Sequence, residues 1–394
     1  MKSILFVYHA SNIGGGTYCL LNILKEIDRS KYQPMVLLCT DGDLVKEIKA
    51  LDIDVYFMPT MTLIPYNRSL WNIRVLRCYL KIRKALSAFE SLLDEIKPDA
   101  VYFNTTMLAP YLEVAKKKGC KTAIHLREHW PLNEHVKQLA KIQRTISTYA
   151  DQIVAINGYS ASMVPTREAT IVCDWIDLSK RYEYRPFDEI FGEDTSKLKV
   201  YLFTGGLQDI KGAAEVVDVF RKRVLEEDKR LLMVGVSPQP NRLGLKNKIK
   251  IILEKVGIDT YDIKVRKMIA SDKRIVCIPA TYAMKHIFEQ AYCNLSFFTI
   301  PHANLALAES IIIGTVPVAA KTEESIEYSN GGELAVLFEL GNQDDMYEKL
   351  IQLDANYEKI KAKIVKDGHI VEEQFDRVRN AAVLDGVFEN LFKN

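Results

Sequence analysis

The chain has 394 residues, more than one hydrophobic core usually serves, so two domains are expected. Its apolar content of 48% excludes a disordered protein, and a net charge of +2 with 26% charged residues selects no acidic or basic partner. Seven scattered cysteines, odd in number and without CxxC spacing, read as small buried hydrophobes in a reducing compartment, not as disulfides or a metal site.

In chain order, Ile4–Tyr8 is a buried strand and Thr17–Ile27 a helix, with Gly14, Gly15 and Gly16 between them. Glycines there let a backbone approach a phosphate, or simply make a tight turn. The spacing is not GxGxxG, so a dinucleotide fold is not indicated. Strands at Met35–Cys39, Val55–Met58, Ala100–Phe103, Thr122–His125 and Ile153–Ile156 then alternate with helices at Leu44–Leu51, Arg68–Ile96, Leu108–Lys118 and Asn133–Tyr149. Such alternation means a parallel sheet covered on both faces, with ligands at the carboxyl ends of its strands. No run approaches the roughly 20 apolar residues of a membrane span. The short run behind Lys2 makes no convincing secretory signal, so a cytoplasmic protein is expected.

Asp174–Gly192 has no sustained apolar period and reads as a linker. Strands then recur at Val200–Phe203, Leu231–Val234, Ile275–Ile278 and Leu295–Ile300. Helices fall at Ala213–Leu225, Lys246–Val256, Tyr282–Ala291 and Met346–Leu353, with a helical tail from Tyr357 to Phe392. The second half repeats strand, glycine turn (Gly205-Gly206) and helix, with Lys211 at the helix entry. A lysine is disfavoured at a helix start, which suggests a ligand for it. Pro301–Lys321 is loop, helix and strand, and Glu309 stands among apolar residues there. Either Glu309 faces the helix amino end, or it faces a cleft and holds ligand hydroxyls. The pairs Glu226-Glu227, Glu323-Glu324 and Asp344-Asp345 read as solvated surface, and His129 and His135 as structural or surface residues. From Arg68 to Lys84, six cations are interleaved with Trp71, Tyr79 and aliphatics, which suits either a solvent face or an anionic membrane surface. Cations confined to one helix make a nucleic-acid role unattractive.

Four segments, taken in order, resemble the retaining glycosyltransferases of family 4, with the GT-B architecture. They are GGGTYCLLNILKEI, TAIHLREHW, FTGGLQDIKG and NLALAESIIIGTVPVAA. The resemblance implies two Rossmann-like doubly wound α/β domains facing a central cleft. The expected divisions are 1–176 for the acceptor side, a linker at 177–197, 198–370 for the nucleotide sugar, and 371–394 packing back on the first domain. It implies transfer from a UDP- or GDP-linked sugar to a hydroxyl of a glycan or lipid-linked acceptor, in cell-surface polysaccharide synthesis, with no cofactor and no metal. By the same resemblance Glu309 binds the donor ribose and Lys211 the diphosphate. Gly14, Gly15 and Gly16 form the closing loop, and His125 touches the transferring sugar. Gly205, Gly206, His302 and the backbone at Asn304 and Leu305 complete the donor side. Arg127 and Glu128, just past a strand end, are candidate acceptor contacts. Two departures stand out: Pro301 replaces the family's first glutamate, and Gly206 replaces an arginine that contacts the diphosphate. A weak or inactive relative that only binds nucleotide sugars, and a nucleotide-sugar epimerase, are the alternatives.

Overall fold

The computed structural model describes residues 1–12, 15–64, 73–128, 136–176, 185–236, 260–281 and 283–393. The expected helix Lys246–Val256, part of Arg68–Ile96, and Gly14, His129 and His135 lie outside them. The chain divides into two compact units, Met1–Trp175 with Phe375–Asn394, and Ile176–Gln374. Of the expected linker, residues 185–197 belong to the second unit, where Phe187 is buried in the core.

The first unit is a seven-stranded sheet in which every pairing is parallel. Its strands are β1 (Lys2–Val7), β2 (Tyr32–Leu38), β3 (Asp54–Phe57), β4 (Ala100–Phe103), β5 (Lys121–Leu126), β6 (Gln152–Ala155) and β7 (Thr170–Ile171). Their order is β3-β2-β1-β4-β5-β6-β7. Successive strand residues enter opposite cores, as the pleat requires. Leu5, Val7, Leu37, Val101 and Phe103 pack with Phe89, Leu93, Leu112 and Ile142 from three helices. Ile4, Phe6, Val36, Tyr102 and Ala123 pack on the other face with Leu20 and Leu24 of helix Gly15–Glu26. Both faces being covered is why these strands read as continuous apolar runs. Helix Arg377–Lys393 supplies Leu384, Val387, Phe388 and Leu391 to that second core, beside Tyr102 and Val154.

The expected helix Leu108–Lys118 forms as a 3-10 turn, Thr106–Tyr111, followed by helix Leu112–Lys117. Pro110 lacks the amide hydrogen that a continuous helix would use. The strand β7 is too short to leave a periodicity in the sequence.

The second unit is a six-stranded sheet, again with every pairing parallel. It holds β8 (Lys199–Phe203), β9 (Lys229–Val234), β10 (Ile275–Ile278), β11 (Cys293–Ser296), β12 (Val316–Lys321) and β13 (Val336–Glu339), in the order β10-β9-β8-β11-β12-β13. The expected strand Leu295–Ile300 stops at Ser296, and Phe298 takes a left-handed φ of 40° that no strand allows. The two expected carboxyl-terminal helices are one helix, Gln343–Asp367, kinked at Asn356, followed by His369–Gln374 and Arg377–Lys393. Glu324 corrects the surface reading of its pair. It is 2% exposed, because it lies in the capped first turn of helix Glu323–Tyr328.

A charged clasp closes the amino edge of this sheet. Asp354 accepts from Lys199 at 3.0 Å, Tyr292 at 2.7 Å and Lys229 at 2.6 Å, and the Lys229 side chain is 7% exposed. Removing one partner of a buried pair strands the other charge. Asp354→Ala is therefore expected to destabilise this unit by about 2 kcal/mol at neutral pH, measured by chemical denaturation. Burial raises the Asp354 carboxyl, but the bonds from Lys229, Tyr292 and Lys199 outweigh it and hold it below its ordinary range. A depressed carboxyl contributes stability above its unfolded pKa and loses it as pH falls through its folded one. Wild type and variant should therefore converge in acid. An undiminished difference there would contradict the assignment.

Candidate functional site

In a parallel sheet, ligands collect outside the carboxyl ends of strands where the winding direction reverses. In the second unit that point lies between β8 and β11. Gly205 and Gly206 follow β8. Gly206 has φ 60°, donates its amide to the Val234 carbonyl at 3.1 Å, and would place a Cβ 3.1 Å from the Gly235 carbonyl. The arginine expected by resemblance is thus disfavoured by backbone conformation and by crowding. The 3-10 turn Asp209–Lys211 follows, and Gly212, at φ 73°, ends it against the ring of Phe297. The Thr299 amide donates to the Ile210 carbonyl at 3.0 Å, which fixes this turn to the loop after β11. Lys211 is half-buried, its amide donates to the Gln208 carbonyl at 3.1 Å, and its side chain has no hydrogen-bond or ion-pair partner among the described residues.

That loop enters helix Leu305–Ile313. Asn304 caps it, accepting from the Leu307 amide at 3.2 Å, while the Ser296 hydroxyl donates to Asn304 Oδ1 at 3.4 Å. The amides of Leu305 and Ala306 have no acceptor among the described residues, as expected at a helix start. Glu309 is one turn beyond Leu305 on the same face, outside the first turn, so it does not simply neutralise the helix dipole. Burial pushes its carboxyl up to about 7, and Lys211 counteracts this only in part. Burial likewise lowers Lys211, with Glu309 opposing. His302 falls to about 4, through burial and then the Lys211 charge, so its ring is neutral at physiological pH. The Lys211 charge acts on both His302 and Glu309, so the three groups cluster beside the amides of Leu305 and Ala306 at the switch point. Pro301, next to His302 in the chain, is half-buried.

The first unit reverses its winding between β1 and β4. Gly15 and Gly16 open helix Gly15–Glu26 beyond β1, and a side chain at Gly16 would collide with the Tyr8 hydroxyl. His125 ends up inside the unit, 1% exposed. Its Nδ1 lies 2.8 Å from the Tyr102 hydroxyl and 3.3 Å from Arg127 Nη2. A guanidinium only donates, so Nδ1 is the acceptor and Nε2 carries the proton. Burial and then Arg127 push the ring well below its ordinary pKa, so it stays neutral.

Arg127 is also buried. It donates to both Asp174 oxygens at 2.6 Å and to Asn104 Oδ1 at 2.9 Å, so its guanidinium is engaged within the unit. Glu128 accepts from Thr105 Oγ1 at 2.6 Å and from the Thr106 amide at 3.0 Å, and burial raises its carboxyl. Tyr102, Asn104, Thr105 and Asp174 escaped the sequence reading. Nothing local distinguishes them, since each acts across 23 to 47 residues of chain.

No family model matches this chain, and no curated protein matches it in sequence. Solved structures do match. HepE of Anabaena, in complex with UDP and glucose, is 15% identical at a TM-score of 0.74, covering 99% of this chain and 100% of that one. The fold is GT-B. A glycosyltransferase from Rickettsia africae is 16% identical at a TM-score of 0.70, covering 100% of this chain and 99% of its own. A structure described as a UDP-N-acetylglucosamine 2-epimerase from Listeria monocytogenes shares the fold at 11% identity and a TM-score of 0.60, covering 99% of this chain and 97% of its own. The likeness fixes the fold, and the activity has to be argued from the site residues.

Proposed function

We propose that this GT-B protein transfers a sugar, with retention, from a nucleotide-diphosphate sugar to a hydroxyl of a glycan or lipid-linked acceptor. One observation carries this reading: an unpaired lysine, an unpaired carboxylate and free helix amides converge at the switch point of the second unit. In the proposed complex, Lys211 and the amides of Leu305 and Ala306 meet the diphosphate, and Glu309 accepts hydrogen bonds from the ribose. Cleaving the sugar–phosphate bond builds charge on the departing diphosphate, where fixed donors act most strongly. His302, neutral, offers a hydrogen bond in place of the charge that Pro301 and Gly206 do not supply. His125 is assigned a positioning role, through Tyr102 and Arg127. Glu128 is engaged by Thr105 and Thr106 and is not assigned as a nucleophile.

HepE was solved with UDP and with UDP-glucose, so UDP-glucose is the first donor to test, followed by GDP-linked sugars. Calorimetry on the full chain should show binding at or below millimolar donor. Absence of binding by any nucleotide sugar would sink the proposal. Binding without transfer to any acceptor, in a chain carrying Gly206 and Pro301, would instead mark a nucleotide-sugar-binding relative.

The state of Glu309 gives a signed prediction. Ribose hydroxyls donate to an ionised carboxylate, and Glu309 ionises near pH 7 in the free protein. Affinity for UDP-glucose is therefore expected to rise as pH increases through about 7 and to level off above, because binding releases a proton. His302 stays neutral across that range. In Glu309→Gln the slope should vanish, and a slope that survives would assign the titration elsewhere.

A further inference from the structure

Among the described residues, Asp52, Lys97, Phe298 and Asn330 take a positive φ without being glycine. Asp52, Lys97 and Asn330 are exposed. Phe298 is 6% exposed, and its φ of 40° is an outlier for so bulky a side chain. Such strain persists only where the surroundings dictate it, and it gathers at functional sites.

Both neighbours of Phe298 are anchored. The Phe297 ring lies against Gly212, where a Cβ would approach it to 2.6 Å, and meets the Phe338 ring of β13 at 5.5 Å between centroids. Thr299 donates its amide to the Ile210 carbonyl at 3.0 Å and its hydroxyl to the Asp209 carbonyl at 3.4 Å. One residue is left to turn the chain between these anchors, and glycine would do so without strain. Phe298 instead keeps a ring there, and that ring meets the His302 imidazole at 5.6 Å between centroids, tilted by 54°. The imidazole has no hydrogen-bond or ion-pair partner among the described residues. Its orientation therefore rests on packing, and Phe298 is its aromatic contact.

We propose that Phe298 is a positioning residue: its strained backbone aims the ring that holds His302 near Lys211, in place to hydrogen-bond a bound nucleotide sugar. The contact with the nucleotide sugar rests on the transfer reading, whereas the support of one ring by the other does not. A neutral imidazole offers one donor and one acceptor nitrogen, and the His302 ring engages neither within the protein. Such a group contributes fully only when it is already held where the ligand oxygen arrives. The same anchors tie this loop to the turn that carries Lys211, so the cation and the imidazole are placed together.

The test uses the full chain with Phe298→Gly, Phe298→Leu and Phe298→Tyr. Glycine suits the backbone but removes the ring. Leucine refills most of the space without an aromatic face, which guards against a folding defect. The first readout is the NMR titration of His302, assigned by the signal lost in His302→Ala. Burial and then the Lys211 charge hold this ring at about 4. In Phe298→Gly water reaches it, and the titration should move to about 5 or above. Phe298→Leu should move it the same way, and Phe298→Tyr, which keeps the ring, should not. The second readout is UDP-glucose calorimetry. Phe298→Gly and His302→Ala should each weaken binding about fivefold, and the double variant should bind no more weakly than His302→Ala alone. A titration unmoved in both Phe298→Gly and Phe298→Leu, or losses that add in the double variant, would overturn the positioning role. Absence of UDP-glucose binding by the wild type, with the titration moving as expected, removes the transfer reading and leaves the ring support standing.

Discussion

Replacing Asp174 with alanine is expected to destabilise the first unit by about 3–5 kcal/mol, the largest stability effect anticipated here. The cost arises in what remains. Arg127 is 8% exposed, and its guanidinium would keep only Asn104 Oδ1 and the neutral His125 nitrogen. Neither carries the opposing charge that a buried cation requires. Because Arg127 lies on the exit of β5 and Asp174 beyond β7, the loss should appear as faster amide exchange in β4, β5 and the segment 172–175. Arg127→Met combined with Asp174→Leu should recover most of the loss, since it removes both charges at once. A single variant within about 1 kcal/mol of wild type would show that water already reaches the pair.

Lys211→Ala is expected to lower turnover of a nucleotide-sugar donor by about 10²- to 10³-fold, the largest functional effect. Gly206 brings no charge to this cluster and His302 is neutral, which on the proposed reading leaves Lys211 to meet the diphosphate. Lys211→Arg should recover only part of the activity. The 3-10 turn fixes the backbone, and a planar fork does not reproduce a point charge at the same reach. Gly206→Arg should not compensate, because φ is 60° and the Gly235 carbonyl is too close. Single-turnover rates with radiolabelled donor would measure the effect. Turnover within threefold of wild type would remove Lys211 from the diphosphate.

The alternating strands and helices were legible because parallel strands buried on both faces leave long apolar runs between amphipathic helices. The cluster of the second unit was legible for a local reason. Lys211, His302 and Glu309 stand in the two segments that follow β8 and β11, where polar groups interrupt apolar sequence. The first unit's strand ends were less so. His125 and Arg127 look like presented groups in TAIHLREHW, yet each turns inward to partners distant in sequence. Asp174 sits at the start of the stretch read as linker, and its pairing with Arg127 has no local signature. Glu324 misled for the opposite reason: a pair of adjacent glutamates looks solvated, and only the capped turn shows that one of them is buried.

Helix Arg377–Lys393 also bears on the order in which the chain acquires structure. Leu384, Val387, Phe388 and Leu391 complete a core begun by β1, more than 370 residues earlier. The second unit is one continuous segment and can close as soon as it leaves the ribosome. The first unit, although synthesised first, must wait with Phe6, Tyr32 and Tyr102 uncovered until that helix emerges. A released chain truncated after residue 374 should therefore hold a folded later unit and an earlier one that still binds chaperones.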